Sequence, residues 1–156
     1  MKQIKLKIVT PEKILLQDEV AQISVSTALG QITILPNHLP LVAKLVSGEI
    51  IVKKIADPEH SRGNNHEEDL MAVSGGFIEV LPDQVVILAD TAERAEEIDE
   101  ARAEEAIKKA EELRKEKIVD AEQFALFTAQ IEKELARLKV ARKYKRQRTN
   151  PGTKIE

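Results

Sequence analysis

Residues 84–113 read QVVILADTAERAEEIDEARAEEAIKKAEEL, and the spacing of their apolar side chains changes within the stretch. Gln84–Ala89 is a short apolar run, which predicts a strand. After it, apolar residues recur at helical spacing, for example at Ile98 and Leu113. Asp90–Thr91 offers a helix N-cap, and the acidic residues that follow suit the positive end of a helix dipole. We therefore expect a helix to begin at residue 91 and to divide the chain into two parts.

The first 90 residues show a period close to two, as strands with one buried face do. Ile4, Leu6 and Ile8 alternate with Lys5 and Lys7. Further strands are predicted at Ala21–Val25, Gln31–Leu35, Glu49–Ile55, Leu70–Val73, Gly76–Leu81 and Gln84–Ala89. Turn signals separate these segments, including Ser47-Gly48 and Ser74-Gly75. Short strands with regular turns predict a β-sandwich or barrel over residues 1–90.

Residues 91–148 are predicted to form two alanine-rich helices. The first is expected to end near Glu116, and a break near Lys117–Asp120 precedes the second. The apolar stripe of the second helix is predicted to comprise Phe124, Ile131, Leu135 and Leu138. Small residues allow two helices to pack closely as an antiparallel hairpin, but narrow apolar seams make an isolated hairpin only marginally stable. Such a hairpin either stays packed or opens to bind another protein, and residues 149–156 are expected to form a flexible tail.

Composition excludes several classes of site. The 156 residues suffice for one domain, or for a small domain with an appendage. The chain has no cysteine, which excludes disulfides, zinc–thiolate sites and thiol nucleophiles. No segment approaches the roughly 20 apolar residues of a membrane span, so membrane association is expected only through partners. The net charge of −3 does not indicate nucleic-acid binding.

The segment Asp57–Asp69 reads DPEHSRGNNHEED and is predicted to be a solvated hairpin loop. It contains His60 and His66 beside acidic residues, so a metal site is the alternative interpretation. The spacing of these residues does not define a ligand set, and we expect no metal there.

Three segments match one protein family in order and spacing. They are Gly30–Leu41 (GQITILPNHLPL), Ser74–Val80 (SGGFIEV) and Ile87–Arg94 (ILADTAER). Together with the order of strands before helices, they resemble the epsilon subunits of bacterial and chloroplast F-type ATP synthases. The resemblance extends from about Ile4 to Val140, which is nearly the whole chain.

This resemblance implies an α+β fold: an N-terminal β-sandwich of about ten strands followed by a C-terminal antiparallel two-helix hairpin. It implies a non-catalytic central-stalk rotor subunit that lies between the gamma subunit and the c ring. There it couples proton-driven rotation to ATP synthesis in the head formed by the beta and alpha subunits. The loop that is expected to hold both Gln31 and His38 matches the family's contact region for the c ring and gamma, although many relatives carry an acidic residue in place of Gln31. The implied location is peripheral, on the cytoplasmic face of the bacterial inner membrane or the stromal face of the thylakoid.

The segment Ile98–Ala103 (IDEARA) resembles a motif that binds ATP in some members of the family. The implied ATP contacts are Glu93, Ile98, Asp99, Arg102, Ala103 and Arg137. Arg102 could bind phosphate oxygens through its forked guanidinium, and Asp99 could accept hydrogen bonds from the nucleoside. ATP is thus expected as a regulatory ligand, with no cofactor required. Lys109 and Lys133 stand where ATP-binding relatives carry arginines, and the alternative is a surface Asp99–Arg102 ion pair worth about 0.3 kcal/mol.

The two predicted helices carry opposite charges at the ends that a hairpin brings together. The first begins with many glutamates, and the second ends with basic side chains at Lys133, Arg137, Lys139, Arg142 and Lys143. Attraction between them favours the closed hairpin. The resemblance implies that this basic end also binds an acidic segment of the catalytic beta subunit and thereby inhibits ATP hydrolysis. A simply solvated helix end, or one that binds anionic lipid or nucleic acid, is the alternative.

An enzyme and an adaptor protein are the alternatives to a stalk subunit. His38 lies between Pro36 and Pro40, but no Ser–His–Asp arrangement accompanies it, so we interpret it as a loop or interface residue. Ser74-Gly75-Gly76 lacks the features of a phosphate-binding loop and predicts a tight turn or bulge. An enzyme is therefore disfavoured, and the remaining alternative is a β-sandwich and coiled-coil adaptor of another assembly.

Overall fold

The computed structural model describes residues 3–55, 68–116 and 120–149 of the chain. The chain divides into two compact units, Met1–Arg94 and Ala95–Glu156. The first consists of strands and the second of helices, which confirms the predicted α+β fold class.

The first unit is one antiparallel-rich sheet that closes on itself. Its strands are β1 Ile4–Val9, β2 Ile14–Thr27, β3 Gly30–Ile34, β4 Leu41–Lys54, β5 Glu68–Val80, β6 Gln84–Ala89 and β7 Ala92–Arg94. They are ordered β1-β6-β5-β4-β2-β3, with β7 paired to β5. Because β1 pairs in parallel with β6 and antiparallel with β2, the sheet wraps around one core as a sandwich.

Every second side chain along the strands points into that core and fills it. Ile4, Leu6 and Ile8 of β1 are at most 1% exposed, whereas the lysines between them point outward. The core is almost entirely aliphatic, and burial of each such side chain contributes roughly 2 kcal/mol. Its other members include Val20, Ile23, Val25, Ile34, Leu45, Ile50, Val52, Met71, Ile78, Val80, Val85 and Ile87.

The strands β4 and β5 are longer than predicted, because two predicted turns are wrong. Ser47-Gly48 lies inside β4, and Ser74-Gly75 lies inside β5. Gly75 and Gly76 have φ angles of +95° and +111°, a backbone conformation that glycine tolerates, at the point where β5 passes from β7 to β6. With the bent strands β2, β4 and β5 each counted as two segments, the sheet has about the ten strands predicted.

The predicted start of the first helix, at residue 91, is wrong. Residues 92–94 form β7, which pairs with residues 71–73 of β5. The Ser74 N–H also donates to the Thr91 carbonyl at 3.1 Å. Arg94 Nη1 lies 3.7 Å from Asp69 Oδ2. The chain therefore remains part of the sheet as far as Arg94, four residues beyond the predicted limit of the sandwich.

The second unit has a 3₁₀ turn at Ala95–Glu97 and two helices, α1 Glu100–Glu116 and α2 Ala121–Thr149. The structure describes α1 as far as Glu116, where the first helix is predicted to end. At the start of α2, the Asp120 carboxylate accepts a hydrogen bond from the Gln123 N–H at 2.8 Å, which is an N-cap. The predicted break at 117–119, the tail at 150–156 and residues 57–67 of the predicted loop lie outside the described residues.

The apolar stripe predicted for α2 is partly wrong. Phe124 and Leu135 are 50% and 51% exposed. The buried positions are Ile131, Glu134, Ala136, Leu138, Val140 and Ala141. Neither described helix combines the length and apolar character needed to cross a membrane.

Candidate functional site

The acidic start of α1 and the basic end of α2 meet, as the charge pattern predicts. Arg142 Nη2 lies 2.7 Å from Glu104 Oε1, and Arg142 Nε lies 3.9 Å from Glu100 Oε2. Lys145 Nζ lies 2.5 Å from Glu100 Oε1. These contacts confirm that the two helices run antiparallel. We call Glu100, Glu104, Arg142 and Lys145 the clasp.

A tyrosine extends the clasp by about one turn. Tyr144, the single tyrosine of the chain, donates its hydroxyl hydrogen to Glu96 Oε2 at 3.4 Å. Arg148 donates to the same hydroxyl at 3.3 Å, and its guanidinium lies 5.6 Å from the centre of the tyrosine ring. The last turns of α2 therefore contact the 3₁₀ turn and the first turns of α1 through polar groups.

The predicted basic surface is not uniformly accessible. Arg137 donates to Glu134 Oε2 at 2.7 Å, and the two side chains are only 18% and 10% exposed. Lys139 is exposed, whereas Lys133 and Lys143 are half-buried. Arg137 and Arg142 thus already bind carboxylates of their own chain, and the inhibitory role of the group stays a prediction.

The predicted ATP motif begins α1. Asp99 is the N-cap: its Oδ1 accepts a hydrogen bond from the Arg102 backbone N–H at 3.1 Å. Ile98 and Ala103 are 9% and 0% exposed, so they pack inward. The Arg102 side chain is exposed, and no carboxylate pairs with its guanidinium in the part of the chain that is described. The geometry thus leaves Arg102 as the accessible cation of the motif.

Glu93 and Arg137 are the other two implied ATP contacts. Glu93 belongs to the first unit, where it pairs with Ala72 between β7 and β5. Arg137 is five residues before Arg142, or about 7.5 Å along the helix axis, and it already pairs with Glu134. Within the second unit, the structure therefore groups Ile98–Ala103 but does not place Arg137 beside the clasp.

Gln31 and His38 do not share a loop, which corrects the prediction. Gln31 is an exposed residue of β3, paired with Ser26, whereas His38 follows the other end of that strand. His38 Nδ1 lies 2.7 Å from the Leu39 carbonyl, and Asn37 adopts a φ of 64°. The His38 side chain thus contributes to a tight turn at one end of the sandwich.

Sequence reasoning missed a surface on the outer face of the sheet. Ile14, Val9, Leu88 and Phe77 lie side by side on four neighbouring strands. Ile14, Leu88 and Phe77 are 52%, 56% and 55% exposed. We call these four residues the apolar row. The available signal was Val85–Leu88, whose apolar residues occupy both faces of β6 although a strand with one solvated face alternates.

Comparisons with known proteins agree on one family. A family model described as ATP synthase, Delta/Epsilon chain, beta-sandwich domain matches residues 3–95. A protein of Chloroflexus aggregans named ATP synthase epsilon chain is 48% identical over 91% of this chain and 94% of its own length. One of Dehalococcoides mccartyi with the same name is 44% identical over 92% and 95%.

A solved structure shares the fold. A chain in the mitochondrial ATP synthase of Euglena gracilis, in a complex of OSCP, F1 and c-ring, superposes with a TM-score of 0.73. The match covers 87% of this chain and 79% of that chain at 24% sequence identity. The strand and helix arrangement described above is therefore one that a rotary enzyme contains.

Proposed function

Because the chain belongs to the ATP synthase epsilon-chain family, and is thus a subunit of that enzyme, we propose that it is a rotor subunit of the central stalk. In this proposal the sandwich joins the gamma subunit to the c ring and couples proton-driven rotation to ATP synthesis. The catalytic sites lie on the beta and alpha subunits, and this chain catalyses no reaction. It is held at the cytoplasmic face of the membrane only through its partners.

The apolar row is the observation that supports docking most directly. Three large apolar side chains, each more than half exposed, extend with the half-buried Val9 across four hydrogen-bonded strands. Contiguous exposed apolar surface of this kind marks a site that another protein covers. A sheet face is also rigid, so a partner that binds it can transmit torque. We assign the row to the gamma subunit.

The end of the sandwich near His38 supports the second contact. Leu35 and Leu39 flank the turn and are 53% and 80% exposed. The Asn37 N–H donates to the Pro82 carbonyl at 2.8 Å, which fixes the turn against the β5–β6 connection. A fixed turn that carries apolar side chains suits a loop of the c ring. Gln31, at the other end of β3, contributes no charge to this contact.

The helical unit supplies regulation. We assign to the basic end of α2 the inhibition of ATP hydrolysis through an acidic segment of the beta subunit. Arg142 and Lys145 bind carboxylates within the hairpin, so the same side chains have the chemistry to bind a partner's carboxylates. ATP is assigned as a regulatory ligand of the Asp99–Ala103 segment, with the exposed Arg102 guanidinium as its phosphate contact.

Reconstitution with matched variants tests the docking surface. An ATP synthase preparation depleted of its epsilon subunit would be titrated with the wild-type chain, Leu88→Asp and Leu126→Asp. Leu88 belongs to the apolar row, whereas Leu126 is a comparably exposed leucine of α2. We expect Leu88→Asp to weaken binding about tenfold or more, because a charge would be buried unpaired at the interface. Leu126→Asp should bind like the wild type.

Two results would contradict the assignment. Equal binding of Leu88→Asp and the wild type would show that the row is not the docking surface. Failure of the wild-type chain to bind at all would favour the alternative function, a β-sandwich and coiled-coil adaptor of another assembly. Partners that co-purify with the tagged chain would then identify that assembly.

A further inference from the structure

We propose that Lys44 and Glu79 determine how the gamma subunit is oriented on the apolar row. In this arrangement Lys44 binds a carboxylate of the gamma subunit and Glu79 binds a cation. The inference rests on the proposed docking of gamma to the row and deepens it, because it specifies the charges that the partner carries and their order.

Lys44 continues the line of the apolar row onto a fifth strand. It pairs with Phe77 across β4 and β5, and Phe77 pairs in turn with Leu88 of β6. Opposite residues of neighbouring strands project from the same face of a sheet, so Lys44 lies in line with the row. The Lys44 carbonyl also accepts a hydrogen bond from the Ala28 N–H at 3.1 Å. The row therefore ends at a cation whose backbone is fixed on both sides.

Glu79 lies beside the same end of the row. It follows Phe77 by two residues on β5, so both side chains project from one face of the sheet. Its partners in register are Val42 of β4 and Val86 of β6. Val42 is 70% exposed and widens the apolar surface here. Lys44 and Glu79 are diagonal neighbours across β4 and β5, a relationship that separates two residues by about 7–8 Å.

Both charges are available to a partner. Lys44 and Glu79 are exposed, and neither forms an ion pair with any residue that the structure describes. Lys7 lies on the same line across the strands as Glu79, but Val86 separates the two. A protein that covers the row removes water from Lys44 and Glu79, and burial of a charge without a partner is costly. The bound surface of gamma must therefore supply a carboxylate to Lys44 and a cation to Glu79.

These charges give the docking surface a direction. An apolar segment could lie along the row either way round, because the row itself offers only hydrophobic contact. At the far end, Glu12 and Lys13 belong to the turn between β1 and β2 and line a small pocket beside residues 90–92. The two charges on the sheet face thus lie at the Phe77 end. A partner placed in the wrong direction leaves them unpaired or beside like charges, which disfavours that orientation.

The test exchanges the two charges without changing their sum. An ATP synthase depleted of its epsilon subunit would be immobilised and titrated with the wild-type chain and with Lys44→Glu combined with Glu79→Lys. The control exchange, Lys108→Glu with Glu112→Lys, alters exposed residues of α1 that have no ion-pair partner in the described chain. Both exchanges keep the net charge, so general electrostatic attraction to the complex is preserved. We expect the Lys44, Glu79 exchange to weaken binding about tenfold or more, and the control to bind like the wild type.

The salt dependence of binding identifies the cause. Raising salt from about 0.1 M to about 1 M shortens the Debye length from about 10 Å to about 3 Å. The wild type should bind more weakly as salt rises, whereas the Lys44, Glu79 exchange should bind more tightly because repulsion is screened. Lys44→Gln with Glu79→Gln removes both charges and should lose most of the salt dependence. Because this variant carries no reversed charge, it decides the question if the exchanged chain does not fold.

Leu88→Asp separates the orientation of gamma from its docking. If Leu88→Asp binds like the wild type, the docking to the row has failed. If Leu88→Asp binds weakly but the Lys44, Glu79 exchange matches the wild type at every salt concentration, the row is the docking surface and the orientation by charge is overturned. Sedimentation of the isolated chain as a dimer that the exchange dissociates would also overturn it, since a second copy would then be the partner of these charges.

Discussion

The carboxylate of Asp99 accepts a hydrogen bond from the backbone N–H of Arg102 at 3.1 Å. The motif that suggests a nucleotide site therefore also begins α1. Asp99 satisfies an N–H that has no partner within the helix, and its charge lies at the positive end of the helix dipole. Any ligand of this segment meets an acidic residue whose side chain already has a structural role.

Replacement of Asp99 by alanine should destabilise the helical unit by about 1 kcal/mol, since the cap is lost. Asp99→Asn should retain most of the stability, because an amide oxygen caps nearly as well. Urea unfolding monitored by far-ultraviolet circular dichroism gives the comparison, and hydrogen exchange at the first amides of α1 locates the effect. Equal stability of Asp99→Ala and the wild type would contradict the capping role.

ATP should bind the full-length chain through Arg102. The exposed guanidinium can form two parallel hydrogen bonds with phosphate, so Arg102→Ala should weaken ATP binding about tenfold or more. Lys108→Ala removes a cation further along α1 and serves as the control. Isothermal titration calorimetry measures all three chains, and no heat at millimolar ATP with the wild type would show that the motif is only a helix start.

Gly76 should be irreplaceable, whereas Gly30 should not. A Cβ at Gly76 would lie 2.0 Å from the Leu88 carbonyl oxygen, but at Gly30 it would meet nothing within 4 Å. Both have positive φ angles, +111° and +114°. We expect Gly76→Ala to cost about 3 kcal/mol or more and Gly30→Ala about 1–2 kcal/mol. Similar midpoints of chemical unfolding for the two variants would contradict the steric argument.

Local patterns allowed much of the fold to be predicted. Alternation in Ile4–Ile8 predicts which side chains are buried, and the glutamates and basic residues of the helices predict how the hairpin ends meet. These features depend on neighbours in sequence or on simple charge attraction. The apolar row was missed because its members come from four strands, and their alignment depends on pairing registers that no single segment contains.

Other errors arose where tertiary contacts override local preference. Residues 92–94 have a helical pattern, but pairing with β5 makes them a strand. Ser47-Gly48 has turn composition, yet Gly48 is needed within β4 because a Cβ there would lie 2.5 Å from Ser26. Leu135 has the hydrophobicity of a core residue, but the buried position is taken by Glu134, which Arg137 neutralises.

The most direct test of the account is ATP hydrolysis by an ATP synthase depleted of its epsilon subunit, after addition of either the full-length chain or residues 1–94. Residue 94 is the last residue of β7, the last strand that the structure describes. The shortened chain therefore keeps the whole sandwich and the apolar row. We predict that both chains bind the complex and that only the full-length chain inhibits hydrolysis. Equal inhibition by the two chains, or binding without inhibition by either, would contradict the role assigned to the helical unit.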